Sequence, residues 1–119
     1  MNWRQGKELF MAKLEMTLRG GFDENLRRIE EGIVHGSVSA SMEDGSDFIS
    51  GSARVSVRVF ERYSWFGNNR VSMNVTLFQE GNGPVHLSAI TSGGSQAVFF
   101  KVNTFGEEAF LDKLRELLR

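Results

Sequence analysis

Three stretches of the chain alternate apolar and polar residues, "ARVSVRVF" from Ala53, "VSMNVTLF" from Val71 and "VHLSAIT" from Val85. They are divided by "FGNNR" and "GNGP". A period of two sends successive side chains to opposite faces, so each stretch reads as a strand with one buried face. Val55, Val57 and Val59 alternate with Arg54, Ser56 and Arg58, while Val71, Met73, Val75 and Leu77 share a face. Val85, Leu87 and Ala89 point inward in the third stretch, and Pro84 fits the residue that opens it. Regular turn signals between such stretches predict an antiparallel meander. Upstream, "SVSASM" places Val38, Ala40 and Met42 between serines, and Asp44-Gly45 is a strong turn signal before the looser "FISGS".

Helical patterns flank this β region. In "FDENLRRIEEGIVHG", Phe22, Leu26, Ile29 and Ile33 fall on one helical face, with Asp23 as N-cap and Gly36 at the end. Thr104 to Glu107 has capping-box spacing, and Phe110, Leu111, Leu114, Leu117 and Leu118 form the stripe of a final helix. Leu14, Met16 and Leu18 alternate as in a strand, although Met11, Leu14 and Leu18 also fit a helix. The order is β-α-β-β-β-β-(β)-α, the optional strand being Ala97 to Val102 in "AVFFKV". It implies an α+β, two-layer fold: a mostly antiparallel sheet of five or six strands with both helices on one face. The first helix is expected to cross over between the first two strands. Residues 1–11 read as a leader or extension, and 12–119 as a single α+β domain.

Composition removes several chemistries. The 119 residues contain no cysteine, which excludes disulfides, thiolate metal sites and cysteine nucleophiles. A formal charge of -1 supplies no field that attracts nucleic acid. No apolar stretch approaches the ~18 residues needed to cross a bilayer, and the N-terminus has no signal core. The expected location is the cytoplasm, with no membrane association. Asn74-Val75-Thr76 matches a glycosylation acceptor, without a secretion signal to give it meaning.

"TSGGSQA" raises the question of an anion loop. A P-loop needs a Gly-Lys-Ser/Thr ending, and a dinucleotide fingerprint needs G-x-G-x-x-G; neither is present. The simplest reading is a turn between two strands, with Gly93-Gly94 supplying positive φ. The other is a backbone nest at Ser92, Gly93 and Gly94, assisted by Ser95 and Gln96. The strings "SAITSGGSQAVFFKVNTFGEEAFLDKL", "EDGSDF" and "FERYSWFGNNRVS" resemble an uncharacterised family of small bacterial proteins known only as a domain of unknown function. The resemblance runs from about Met11 to the C-terminus and brings no activity or catalytic residue with it.

Arg54, Arg58 and Arg62 share one strand face with Phe60, next to Phe78, Thr76, Asn74, Ser72 and Arg70 on the neighbouring non-core face. If the helices cover the other side, this side is open. It then reads as a solvated face with a Phe60–Phe78 pair, as a dimer interface, or as a ligand or nucleic-acid face. Tyr63, Trp65 and Phe66 either line a pocket mouth or cover the end of the core. Glu43, Asp44 and Asp47 lack the ligand order of a calcium loop. His35 and His86 lack metal-ligand or triad spacing.

These readings converge on a small cytoplasmic, non-catalytic module that binds or self-associates, with no cofactor and no metal. Its expected partner is a second copy, through the open sheet face or an edge strand, with Arg54, Arg58, Phe60, Arg62 and Phe78 as interface residues. The alternative is a small-molecule binder with a helix-grip-like cavity between the sheet and the C-terminal helix. Tyr63, Trp65, Phe99 and Phe100 would line that cavity. Nucleic acid is disfavoured.

Overall fold

The computed structural model describes residues 11–36, 39–63, 70–93 and 100–119. Strand β1 (Met11–Leu18) leads into helix α1 (Phe22–His35), followed by β2 (Ser41–Ser50), β3 (Ala53–Tyr63), β4 (Arg70–Glu80), β5 (Val85–Gly93) and helix α2 (Phe100–Leu117). The five strands form one open sheet in the order β1-β5-β4-β3-β2, antiparallel at every junction. Four antiparallel junctions in succession leave the two edge strands, β1 and β2, pointing the same way. Helix α1 therefore carries the chain from one edge of the sheet to the other.

Both helices cover one face. The stripe Phe22, Ile29 and Ile33 of α1 is buried, and so are Phe110, Leu111 and Leu114 of α2. They meet the inward residues of the sheet: Ala12, Leu18, Phe60, Val71, Met73, Val75, Leu77, Val85, Leu87 and Ala89. The helices approach closely at Gly32, where an added Cβ would collide with the Leu117 side chain. The turn into α1 is held by the buried Asn25, whose amide donates to the carbonyls of Arg19 and Gly21, each at 2.8 Å. Gly21, not Asp23, is the N-cap; Phe22 is already helical, and the Glu24 carboxylate accepts the Gly21 N–H.

Three further expectations need correction. The first concerns β2. Rather than turning at Asp44-Gly45, the strand runs through them to Ser50. The two-residue turn lies at Gly51-Ser52, where Gly51 has φ +59. Gly45 serves packing: a Cβ there would stand 2.8 Å from Cδ of Arg58, which lies across the strand. A register shift between Met42 and Asp44 leaves Glu43 unmatched.

The second concerns α2. It begins by Phe100, so Phe100 to Val102 are helical and Thr104 is inside the helix, not its cap. Val102, Phe105 and Ala109 recur at three- and four-residue spacing, which fits the helix that follows better than a sixth strand. Ala97 to Phe99 lie outside the described residues.

The third is the phase of β3. Phe60 pairs with the buried Met73, and Arg58 with the buried Val75. The even-numbered residues of β3 thus face the helices, and Val55, Val57 and Val59 face outward. An inward Phe60 makes a sharp prediction. Phe60→Ala should lower the free energy of unfolding in urea by about 3–5 kcal/mol. A loss below about 1 kcal/mol would return Phe60 to the solvent side.

Candidate functional site

The face away from the helices is a grid whose rows follow from the strand registers. One row runs Phe48, Val55, Phe78, His86, Thr17 from β2 to β1. The next runs Ser46, Val57, Thr76, Ser88, Glu15, and the third Asp44, Val59, Asn74, Ile90, Lys13. Phe48 is 65% exposed, Phe78 42% and Ile90 37%, and the three valines are half-buried. The Phe78 and His86 rings stack with centroids 6.4 Å apart. Around them lies a shallow cleft of about 400 Å³ lined by Thr76, Ser88, Glu15 and Thr17.

Of the five residues expected on this face, only Phe78 is there. Phe60 is in the core. Arg54 donates to Asp23 of α1 at 3.0 Å and lies over the Phe22 ring. Arg62 lies over the Phe110 ring of α2, 4.8 Å from its centroid. Arg58 donates from Nε to Glu30 at 2.7 Å and pairs with Asp47 at 3.1 Å. Burial works against its charge, but the hydrogen bonds to Glu30 and Asp47 outweigh this and hold it above its ordinary value. The reason for the reversal lies on α1, which carries the acids that Arg54 and Arg58 reach. Long arginine stems can cover apolar helix surface while their heads reach the acids at the helix margin.

The glycine loop splits between described and undescribed residues. Ser92 ends the open face, paired with Ser72. Gly93 has φ +119, and a Cβ on it would lie 2.6 Å from the Arg70 carbonyl, so a side chain there is both strained and crowded. Gly94, Ser95, Gln96 and Trp65 lie outside the described residues. Tyr63 ends β3 exposed, with Arg70 over its ring at 5.7 Å. The structure therefore does not bring Tyr63 and the loop candidates into one described pocket. Sequence reasoning missed Phe48, Val55, Val57, Val59 and Ile90. The signal was available in the acids at Asp23 and Glu30, spaced to meet Arg54 and Arg58.

Among the described residues no group of three or more His, Asp or Glu is placed to hold a metal. No helix among them is long and apolar enough to cross a membrane. The architecture is that of a two-layer α+β protein whose antiparallel sheet, among the described residues, is covered on one side only. The chain belongs to a family described as Family of unknown function (DUF6054), whose model matches residues 11–119. Comparison with curated proteins finds no match.

The Arg58 network carries a pH signature. Asp47 is held below its ordinary value of 3.8 chiefly by the hydrogen bond from Ser56, against its burial and with help from Arg58. A carboxylate depressed in the folded state contributes stability that is present above its unfolded value and lost as pH falls through the folded one. Asp47→Asn should therefore cost stability at pH 7 by urea titration. That difference should shrink as the pH drops below about 4. A difference that stays constant from pH 7 to pH 3 would remove the charge from the account.

Proposed function

We propose that the chain is a small cytoplasmic, non-catalytic self-association module whose open sheet face receives a second copy. One observation carries this reading: the face turned away from the helices is rich in Val, Phe and Ile. A solvated sheet face normally alternates to polar residues on its outer side. Here Val55, Val57 and Val59 occupy the outer side of β3, flanked by Phe48, Phe78 and Ile90.

Size supports the reading. Five strands spaced about 4.8 Å apart and about 30 Å long present roughly 700 Å², close to the ~800 Å² that each partner contributes to a standard interface. The edge route is less favourable. Strand β2 carries Glu43, Asp44 and Asp47 and a register shift, features that discourage edge-to-edge pairing. Two such edges side by side would bring acids together.

A second reading, small-molecule binding, is favoured by the Phe78–His86 stack and its cleft. It uses the same surface, so a ligand there and a second copy would compete. Phe110, Leu111 and Leu114 of α2 are fully buried, while Trp65 and Phe99, expected to line a cavity under this helix, lie outside the described residues.

Sedimentation equilibrium tests the proposal. The expected result is a dimer with a dissociation constant of about 10 µM or tighter, weakened at least a hundredfold by Val57→Asp. The variant should keep its helical and strand circular dichroism. A wild-type chain that stays monomeric up to several hundred micromolar, as an order of magnitude, would overturn the reading.

A further inference from the structure

The grid on the open face also constrains how two copies can meet, an inference that rests on the self-association reading. Facing sheets in a symmetric dimer are related by a two-fold axis lying in the interface, and the same patch contacts itself. Two orientations of that axis are simple for a five-strand sheet: along the central strand β4, or across the strands.

An axis along β4 turns each row end over end onto itself. Asp44, at the β2 edge, then stands over the partner's Lys13, at its β1 edge. Val59 meets the partner's Ile90, and Phe78, Thr76 and Asn74 each meet their own counterpart. Among the described residues no cation pairs with Asp44, which only accepts its neighbour's Gly45 N–H. Lys13 has one loose contact, 3.8 Å from Glu15. The pairing therefore opposes charges at both edges, sets Val59 on Ile90 and Phe78 on Phe78, and places Val57 and Val55 over the partner's Ser88 and His86.

An axis across the strands, through the middle row, also stacks apolar groups, Val57 on the partner's Val57 and Val55 on the partner's Val59, but it opposes no unlike charges. It sets Glu15 against the partner's Glu15, Phe48 against the partner's Asp44, and Phe78 against the partner's Asn74. Like charges brought together in an interface are costly, and so is an acid held against an aromatic ring in a dry contact.

We infer that the chain pairs through its open sheet face about a two-fold axis parallel to β4, with Asp44 of each copy opposing Lys13 of the other. Aligned sheets cross at about 30°, which shifts the outer strands by about 5 Å, a distance the lysine stem can span.

Two experiments read the axis directly. In sedimentation equilibrium at low salt, Asp44→Lys alone and Lys13→Glu alone should each weaken the dimer about tenfold or more. The double exchange should recover affinity to within about threefold of the parent. The absence of cysteine allows a second readout that does not depend on charge. Asn74→Cys should be crosslinked to its own counterpart by a bismaleimide about 10 Å long, the spacing of packed sheets. Ser46→Cys, at the margin of the middle row, should not be. Efficient crosslinking at Ser46→Cys, or a dimer indifferent to both charge reversals, overturns the axis while leaving self-association in place. A monomeric parent overturns both.

Discussion

The Arg58 guanidinium holds three parts of the molecule in one place. It donates to Glu30 on α1, to Asp47 on β2, and to the carbonyls of Val57 and Ser46. Such a group cannot be moved to the other face without leaving Glu30 half-buried and unpaired, and an unpaired acid in a partly dry site is costly. Once Arg58 faces the helices, the period of two fixes everything else on β3. Arg54 and Arg62 join it, Phe60 enters the core and the valines face out. The register of β2 follows as well, because Gly45 is the residue that leaves room for the arginine to cross it.

That constraint explains why the elements were legible from the chain and one face was not. The strands β3, β4 and β5, the apolar stripe of α1 and the late stripe of α2 all follow from local periodicity. The phase of β4 and β5 follows too, since only one of their faces is apolar. In β3 both phases offer something to bury: three valines on one side, Phe60 and three arginine stems on the other. Local hydrophobicity favours the valines. The deciding partners, Asp23 and Glu30, lie on another element. Seven helical residues span about 10.5 Å and four strand residues about 13 Å, so the two acids can meet Arg54 and Arg58 in step. That match is visible only when the helix and strand are considered together.

Strand β2 was hidden for a related reason. Asp44-Gly45 has the composition of a turn, but a glycine is also required wherever another side chain must pass close to the backbone. Every residue of β2 is exposed, so no buried face marks its phase. The actual turn, Gly51-Ser52, offers a weaker signal in the chain than the dipeptide seven residues earlier. The helical start at Phe100 was obscured because "AVFFKV" alternates over so short a length that both periods fit.

The face chosen by β3 bears on what the molecule is for. For an isolated chain, burying three valines is worth roughly 1.5–3 kcal/mol each, whereas solvent-accessible ion pairs such as Arg54–Asp23 contribute about 0–1 kcal/mol. The observed phase buries Phe60 and pairs Glu30, and it leaves that valine surface without a cover from the helices. The observed phase gains an advantage if the outer face is also covered, because β3 then buries valines on one side and Phe60 on the other. A strand apolar on both sides is the pattern of a sheet enclosed between two layers. The helices supply one layer. In the self-association reading a second copy supplies the other, and the polar ends of the grid, Asp44 and Lys13, then mark the rim where such an interface meets water.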